Sequence, residues 1–271
     1  MRVTKSFAAA SVAIAFTAPA AAQSPELTLT RFECGTPGQP TEVNQRFSDI
    51  YAYPGVKLQF VFSCYLVKHG DDYMIWDTGF GPDGGARAPK QTLTEQLAKL
   101  GVKPEQVKFV GISHYHGDHI GGAAQFPGAT LLIGKGDWDI LASPARPQGV
   151  DAKSVEHWIS GGGKVEAVPL DKDVFGDGTV LMLYTPGHTP GHHSLLVKLP
   201  KTGPVLLTGD AAHFRENYDT DGVPSFNFDR AQTVASLERI KKLAANTKAT
   251  VVIQHDARDV SKLPVAPESA K

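Results

Sequence analysis

The sequence has almost no excess of charge of either sign. It contains 27 lysine and arginine residues against 28 aspartate and glutamate residues, which gives a formal net charge of −1. No run of basic residues occurs, whereas binding to nucleic acid or to an anionic membrane surface needs concentrated positive charge. We therefore expect no nucleic-acid partner and no binding to an anionic membrane surface.

Long hydrophobic runs are also missing, apart from one near the N-terminus. Residues 7–18 are apolar and rich in alanine, but they fall short of the about 20 residues that a membrane-spanning helix needs. Arg2 and Lys5 precede this run, and the alanines at 20–22 form a cleavage site before Gln23. This order is typical of a secretory signal peptide. It predicts a signal peptide over residues 1–22, a mature chain without a membrane span, and a periplasmic or secreted location.

Cysteine is the rarest residue type, with only Cys34 and Cys64. An oxidising compartment would permit a disulfide between them. Both, however, lie in apolar strand-like segments, where a free cysteine packs as a small buried side chain. The sequence favours free thiols and leaves the disulfide open.

The remaining composition is that of an ordinary folded domain. A hydrophobic fraction of 41% over 271 residues is enough for one substantial core. We expect a single domain over residues 23–262. Pro264 and Pro267 interrupt the end of the chain, so we expect a disordered tail over residues 263–271.

Histidine and aspartate are concentrated in one short stretch, directly after a strand-like segment at residues 107–113. His114, His116, Asp118 and His119 fall within six consecutive residues. Imidazole nitrogens and carboxylate oxygens are ligands of divalent metals, of which zinc is the first candidate. Residues two apart on an extended segment share a face, so His114 and His116 can hold one ion. Asp118 and His119 then turn towards a second.

Three later blocks repeat this arrangement of a ligating side chain after an apolar strand. They place His188, Asp210 and His255 just beyond such segments. A rigid scaffold can make ligands at strand ends converge, so we expect these side chains to meet the first block. The expectation is two divalent metal ions per chain, with zinc favoured over iron, manganese or cobalt.

Strands fall into two groups along the chain, each interleaved with helices. The clearest helix begins at Asp229 and carries an apolar stripe of Val234, Leu237, Ile240 and Leu243. Two sheets stacked face to face, with helices outside, would bury both groups of strands. This predicts an α/β fold of four layers, an αββα sandwich.

A long polar loop at residues 35–55 carries Phe47, Tyr51 and Tyr53. A loop of this length with aromatic residues is typically ordered and functional. It is either a lid over the substrate or a subunit contact in a homodimer, unless its rings only anchor the loop.

The blocks HxHxDH, GHTPGH, GD and a final H resemble the metallo-β-lactamase superfamily in order and spacing. The resemblance runs from the turn at residues 77–79 to His255, and it implies the αββα fold. It implies one metal held by His114, His116 and His188, and another held by Asp118, His119 and His255, with Asp210 bridging the two. The first histidine of GHTPGH is the ligand in that family, so His192 is expected to support the loop instead.

Within the superfamily, the chain is most similar to the N-acyl-homoserine lactone lactonases. The similarity rests on FSD at 47–49, CYL at 64–66, WDTG at 76–79, HFREN at 213–217 and HD at 255–256. It implies a quorum-quenching hydrolase that opens lactone rings by attack of a metal-bridging hydroxide on the carbonyl. Asp118 would deliver a proton to the departing alkoxide. Asp77 would either orient a ligand imidazole or cap backbone amides.

His213 is a departure from the lactonases, which have a tyrosine three residues after the bridging aspartate. An imidazole N–H can also donate a hydrogen bond to a developing oxyanion. We therefore assign His213 a catalytic role, with plain packing beside Phe214 as the alternative.

Other activities fit the same motifs. An arylesterase or phosphotriesterase fits almost as well, and a β-lactamase is a weaker candidate because those enzymes usually have cysteine or serine at the place of Asp210. A periplasmic metal-binding protein without activity is a further alternative, although a storage site has no need of a bridging carboxylate.

Overall fold

Strands alternate with short helices along most of the chain. A computed structural model of the protein describes Met1, Val3 and residues 25–147 and 149–271, so the predicted signal peptide lies almost wholly outside the described residues. The strands are β1 (Leu27–Glu33), β2 (Thr41–Glu42), β3 (Lys57–Leu58), β4 (Ser63–His69), β5 (Asp72–Trp76), β6 (Val107–Ile112), β7 (Thr130–Gly134), β8 (Val165–Val168), β9 (Lys172–Asp173), β10 (Val180–Tyr184), β11 (His193–Leu199), β12 (Gly203–Leu207) and β13 (Thr250–Val252). The α-helices are α1 (Leu93–Ala98), α2 (Gly117–Ile120), α3 (Lys135–Leu141), α4 (Glu156–Ile159), α5 (Arg215–Thr220), α6 (Arg230–Thr247) and α7 (Ala257–Val260).

Two sheets form the centre of the fold. One has the order β1-β4-β5-β6-β7-β8 and the other the order β13-β12-β11-β10-β9. Residues from both sheets, among them Trp76, Met182 and Leu207, are fully buried against one another. The outer face of the first sheet packs on Leu93 and other helical residues, and that of the second packs on Ile240 of α6. The αββα prediction is confirmed.

Both sheets contain parallel strands. β5 to β8 run parallel to one another, and β13 runs parallel to β12. The carboxyl ends of parallel strands collect at one edge of a sheet, which is where α/β folds place their sites. The loops after β5, β6, β10, β12 and β13 carry the predicted site residues.

The predicted helix after Asp229 is present and begins as expected. The Asp229 side chain accepts a hydrogen bond from the Gln232 N–H, which satisfies one free donor of the first turn of α6. Leu237 and Ile240 are fully buried on the inner face. Among the described residues, no helix combines the length and apolar character that a membrane crossing requires.

The end of the chain differs from the expectation of a disordered tail over residues 263–271. Leu29 and Ala270 exchange two backbone hydrogen bonds of 2.9 Å, and Ala266 N donates to Arg31 O. Leu263 is buried. β1 is an edge strand with unpaired backbone groups, and the tail covers them, which is a common way to protect a sheet edge. The two prolines therefore shape an ordered segment and do not free it.

Cys34 and Cys64 form a disulfide, contrary to the preference for free thiols. Cys64 lies opposite Phe32 in the antiparallel β1–β4 pair, and Cys34 follows Phe32 by two residues. Their Cα atoms lie 5.8 Å apart, within the range that a disulfide requires. The sequence pattern could not show this register.

Candidate metal centre

The block from His114 to His119 begins just after β6 and continues into α2, which contains Asp118 and His119. β6 ends at Ile112, and His116 caps the N-terminus of α2. His114 and His119 are buried, whereas a quarter of the Asp118 side chain is exposed. The block therefore presents two enclosed imidazoles and one accessible carboxylate.

Three imidazoles meet as a first group, which we call the three-histidine cluster: His114, His116 and His188. The His188 Nε2 atom lies 3.2 Å from His114 Nε2 and 3.0 Å from His116 Nδ1, and the last two atoms lie 3.0 Å apart. Ligand atoms around a tetrahedral zinc ion, at 2.0–2.1 Å from it, are separated by about 3.3 Å. The three nitrogens thus have the spacing of ligands around one ion.

Asp118, His119 and His255 form a second group, which we call the mixed cluster. The Nε2 atoms of His119 and His255 lie 3.1 Å apart. Asp118 Oδ2 lies 3.6 Å from His255 Nε2 and 4.0 Å from His119 Nε2. Their ligating atoms are close enough to surround one metal ion.

Asp210 lies between the clusters and faces both. Its Oδ2 atom is 3.4 Å from His188 Nε2 and 3.7 Å from His114 Nε2. Its Oδ1 atom is 3.0 Å from His255 Nε2 and 3.2 Å from His119 Nε2. Oδ1 is buried and has no donor in hydrogen-bond geometry among the described residues. A buried carboxylate oxygen without a partner is costly, and a bound cation would satisfy it.

Hydrogen bonds on the outer side of the rings set which nitrogen faces inward. His119 Nδ1 donates to Asp77 Oδ2 at 2.9 Å, and His255 Nδ1 donates to the Val61 carbonyl at 2.8 Å. His188 Nδ1 lies 2.9 Å from Asn227 Oδ1. Each bond occupies Nδ1, so that Nε2 is the nitrogen directed towards the centre of the cluster.

Asp77 combines the two roles that the sequence left open. It accepts hydrogen bonds from Ser113 N at 2.7 Å, Ser113 Oγ at 2.9 Å, His119 Nδ1 and Gln254 Nε2 at 2.8 Å. It is fully buried and has a φ of 55°, in the left-handed region that residues other than glycine rarely adopt. Such strain is typical of functional positions.

Burial and neighbouring charges shift the pKa values of histidines in the two clusters in opposite directions. Burial lowers the pKa of His114 and His188 well below the usual range, so both rings are neutral at pH 7. Burial alone would also lower the pKa of His119, but the carboxylates of Asp210 and Asp77 raise it well above the usual range. Burial would raise the pKa of Asp210, yet the charges of His255 and His213 hold it well below normal. The centre therefore holds a buried carboxylate anion among imidazoles.

His192 supports the loop, as predicted. Its Nδ1 donates to Thr185 O at 2.9 Å, and its Nε2 accepts from Asp210 N at 2.9 Å. Burial lowers its pKa to about 3, so the neutral ring can accept that bond. His192 thus fixes the backbone of Asp210.

Asp137 is a site residue that the sequence reasoning missed. It is fully buried and accepts hydrogen bonds from Tyr115 N at 3.2 Å, Thr189 Oγ1 at 2.8 Å and Gly191 N at 2.7 Å. It therefore ties the loop of His114 and His116 to the loop of His188. Burial raises the pKa of Asp137 to about 7. The signal was present, because Asp137 also follows the end of a strand, β7.

A cavity of ≈ 390 Å³ opens onto the mixed cluster, Asp210 and His116 of the three-histidine cluster. Asp118, His213 and His255 line its floor, and Phe47, Phe60, Phe62 and Phe226 line its wall. His213 Nε2 lies 3.1 Å from Asp210 Oδ2. The His213 ring packs edge-on against Phe47, with 5.0 Å between ring centroids. The cavity thus joins an apolar wall to the polar centre.

Two clusters of metal-ligating side chains, joined by one carboxylate at the edge of an αββα sandwich, define a metal-dependent hydrolase. A model of the metallo-β-lactamase superfamily matches residues 61–255, a range that contains both clusters and Asp210. The chain belongs to this superfamily.

Two similar proteins are both named N-acyl homoserine lactonases. The chain is similar to the N-acyl homoserine lactonase AttM of Rhizobium radiobacter, with 34% identity over 194 residues, 66% of this chain and 69% of that protein. It is also similar to an N-acyl homoserine lactonase of Bacillus cereus, with 30% identity over 240 residues, 79% of this chain and 89% of that one.

The fold agrees with a solved structure of an N-acyl homoserine lactone hydrolase with the product N-hexanoyl-L-homoserine at its catalytic metal centre. The two structures have a TM-score of 0.74 and 24% sequence identity, over 92% of this chain and 100% of that chain. At this identity the likeness establishes the fold.

Proposed function

We propose that this protein opens the ring of N-acyl-homoserine lactones and that two divalent metal ions are its cofactors. The observation that carries the proposal is the position of Asp210, whose two oxygens face two ligand clusters beside a phenylalanine-lined cavity. The named relatives support this substrate class.

The residues present suit two ions of zinc, iron, manganese or cobalt. The three-histidine cluster would hold one and the mixed cluster the other, with one oxygen of Asp210 towards each. Bound there, the ions would lower the pKa of a water molecule and polarise the substrate carbonyl. Neutral rings at His114 and His188 need lose no proton before binding.

Asp118 is the residue placed to move a proton. Its side chain is a quarter exposed and lines the cavity, in contrast to the enclosed Asp210. A carboxylate there can take the proton of the attacking water and deliver it to the alkoxide that leaves when the ring opens. His213 lies beside the same floor and would donate to the developing oxyanion or hold Asp210 in place.

The apolar wall would bind the acyl chain. Phe47, Phe60 and Phe226 line the cavity next to His213. Burial of alkyl surface against them contributes about 25 cal/mol per Å². A lactone ring at the polar floor and an acyl chain along the wall thus fit the two parts of the cavity.

A substrate panel on metal-quantified protein tests the proposal. The protein is purified without chelator and its metal content measured, with two equivalents per chain expected. N-Hexanoyl homoserine lactone should then be hydrolysed with a higher kcat/KM than an aryl ester, a phosphotriester or a β-lactam. Saturation at one metal would contradict the two-ion centre. A clear preference for the ester or phosphotriester would replace lactonase by that activity.

We also propose that the protein is exported. The proposal rests on the positive residues, the apolar run at 7–18 and the alanines at 20–22, and a disulfide is compatible with an oxidising compartment. Expression of the full chain in a bacterial host should give periplasmic protein whose intact mass lacks residues 1–22. Protein that retains Met1 in that fraction would contradict cleavage.

A further inference from the structure

The wall of the same cavity carries two guanidinium groups, those of Arg46 and Arg87. Within residues 25–147 and 149–271, neither forms an ion pair or a side-chain hydrogen bond, in contrast to Arg215, Arg230, Arg239 and Arg258, which all pair with carboxylates. The carboxylates that line the cavity, Asp118 and Asp210, both belong to the proposed metal centre. The wall thus has two positive charges without a counter-charge of its own.

The Arg87 side chain contacts two neighbouring residues, Phe62 and Gly38. Its guanidinium carbon lies 5.8 Å from the centroid of the Phe62 ring. It also lies against Gly38, where an added Cβ would come within 2.3 Å of Arg87 Nη1. The Thr36 N–H donates to the Arg87 carbonyl at 3.0 Å, which fixes the backbone as well. The guanidinium group therefore has packing contacts but uses none of its five N–H donors on the described residues.

Arg46 has a similar arrangement on another loop. Its guanidinium carbon lies 5.0 Å from the Phe226 centroid and 6.0 Å from that of Phe47. Its carbonyl accepts from Ser225 N at 3.0 Å and from Ser225 Oγ at 3.1 Å. Arg46 is exposed, so it lies at the open side of the cavity. Each arginine thus lies against a phenylalanine ring with its donors free.

These contacts select for an anionic group on the substrate. An alkyl chain would use the phenylalanines, but it would displace water from the guanidinium donors and give them no acceptor in return. A carboxylate matches the planar fork of arginine with two parallel hydrogen bonds. Two positive charges on the cavity wall would also attract an anionic substrate from solution.

Resting on the proposed lactonase function, we propose that the preferred substrates are lactones whose acyl chain ends in a carboxylate. Arg87 binds that carboxylate, the phenylalanines enclose the intervening methylene groups, and Arg46 steers the anion into the cavity. The lactone ring then lies at the polar floor, at the other end of the cavity.

A matched pair of substrates tests this specificity. N-Hexanoyl and N-adipoyl homoserine lactone have acyl chains of the same length and differ in a terminal methyl group or carboxylate. The metal-loaded wild type should have the higher kcat/KM on the adipoyl compound. Arg87→Ala should lower that value roughly 10- to 100-fold, mainly through KM, the scale for losing a charged hydrogen bond. Its turnover of the hexanoyl compound should stay within about 3-fold of wild type.

Three further variants distinguish a direct contact between Arg87 and the carboxylate from general electrostatic attraction. Arg87→Lys should recover part of the loss, because it keeps the charge but not the fork. Arg46→Ala should have a smaller effect that disappears at high salt. Lys90→Ala is the matched control, since this exposed cation lies three residues from Arg87 but lines a different cavity. It should leave both substrates unaffected.

Two outcomes would overturn the inference: a wild type that does not prefer the adipoyl compound, or an Arg87→Ala variant that loses both activities equally. Failure of the proposed function is recognised separately, because the wild type would then hydrolyse neither lactone. In that case calorimetric binding of the ring-opened compounds decides. Tighter binding of N-adipoyl-homoserine than of N-hexanoyl-homoserine, lost in Arg87→Ala, would uphold the arginine site, and equal binding would refute it.

Discussion

The two ligand clusters share Asp210 but differ in how their rings are supported. In the three-histidine cluster, the outer nitrogens of His114 and His188 meet neutral groups, Ser113 and Asn227. In the mixed cluster, the outer nitrogen of His119 meets the buried carboxylate of Asp77. The same residue type is therefore held in two electrostatic environments a few ångströms apart.

We infer from this difference that the two clusters are suited to different roles. Neutral support leaves a cluster that is ready to bind a metal at pH 7, since burial lowers the pKa of His114 and His188. Carboxylate support makes the His119 ring more basic and fixes its orientation. The mixed cluster is also the one with an accessible carboxylate, Asp118, beside the cavity. One cluster is suited to anchoring a metal, and the other to chemistry.

The largest expected effect comes from the residue that joins the clusters. Asp210→Asn keeps the shape of the side chain but removes its charge. We expect weaker binding of at least one metal and a loss in kcat on the order of 10²-fold or more, because ligand geometry fails on both sides. Metal analysis and steady-state kinetics measure this. Near-normal kcat with both metals retained would remove Asp210 from the centre.

His213 tests the comparison between the clusters, because its Nε2 atom contacts Asp210 Oδ2, the oxygen that faces the three-histidine cluster. If His213 donates to the oxyanion, His213→Ala should lower kcat about 10²-fold at unchanged metal content. His213→Tyr should then recover part of the loss. A fall in metal content together with kcat would instead make His213 a positioning residue for Asp210. Unchanged kcat would leave it without either role.

The convergence of the candidate ligands was predictable from the sequence, as were the supporting roles of Asp77 and His192, whereas the supports of His188 and His255 were not. His114, His188, Asp210 and His255 each follow an apolar strand, so the pattern alone predicts that they converge. Asn227 lies 39 residues from His188, and the Val61 carbonyl 194 residues from His255. No periodicity or spacing encodes such contacts, because they depend on how separate loops pack.

The same limit explains the errors elsewhere in the chain. The tail was read as disordered from Pro264 and Pro267, but its partner is the free edge of β1, which is defined only once the sheet order is known. Asp137 follows a strand as the other site residues do, but its role is defined only where two loops meet around it.

The next prediction removes one support from each cluster. Asp77→Asn weakens the acceptor for His119, and Asn227→Ala removes the acceptor for His188. Loss of such a partner typically lowers metal affinity 10- to 100-fold. We expect the larger loss for Asp77→Asn, because a charged acceptor is replaced and Ser113 and Gln254 lose the same partner. Competition with a chelator measures both affinities. Equal losses would mean that the charge of Asp77 has no special effect.

The smallest effect concerns protons released on metal binding. The raised pKa of His119 keeps that ring protonated in the metal-free protein at neutral pH, whereas the lowered pKa values of His114 and His188 leave those rings neutral. A metal must therefore displace a proton from the mixed cluster but not from the other. As pH falls from 8 to 6, metal affinity should decrease more steeply at the mixed cluster.

His116→Ala leaves only the mixed cluster intact, and His255→Ala leaves only the three-histidine cluster. Zinc titration of both variants, by calorimetry in two buffers of different ionisation enthalpy, counts the protons. His116→Ala should release more of them, and equal release would show that the two environments do not differ in the way their supports suggest.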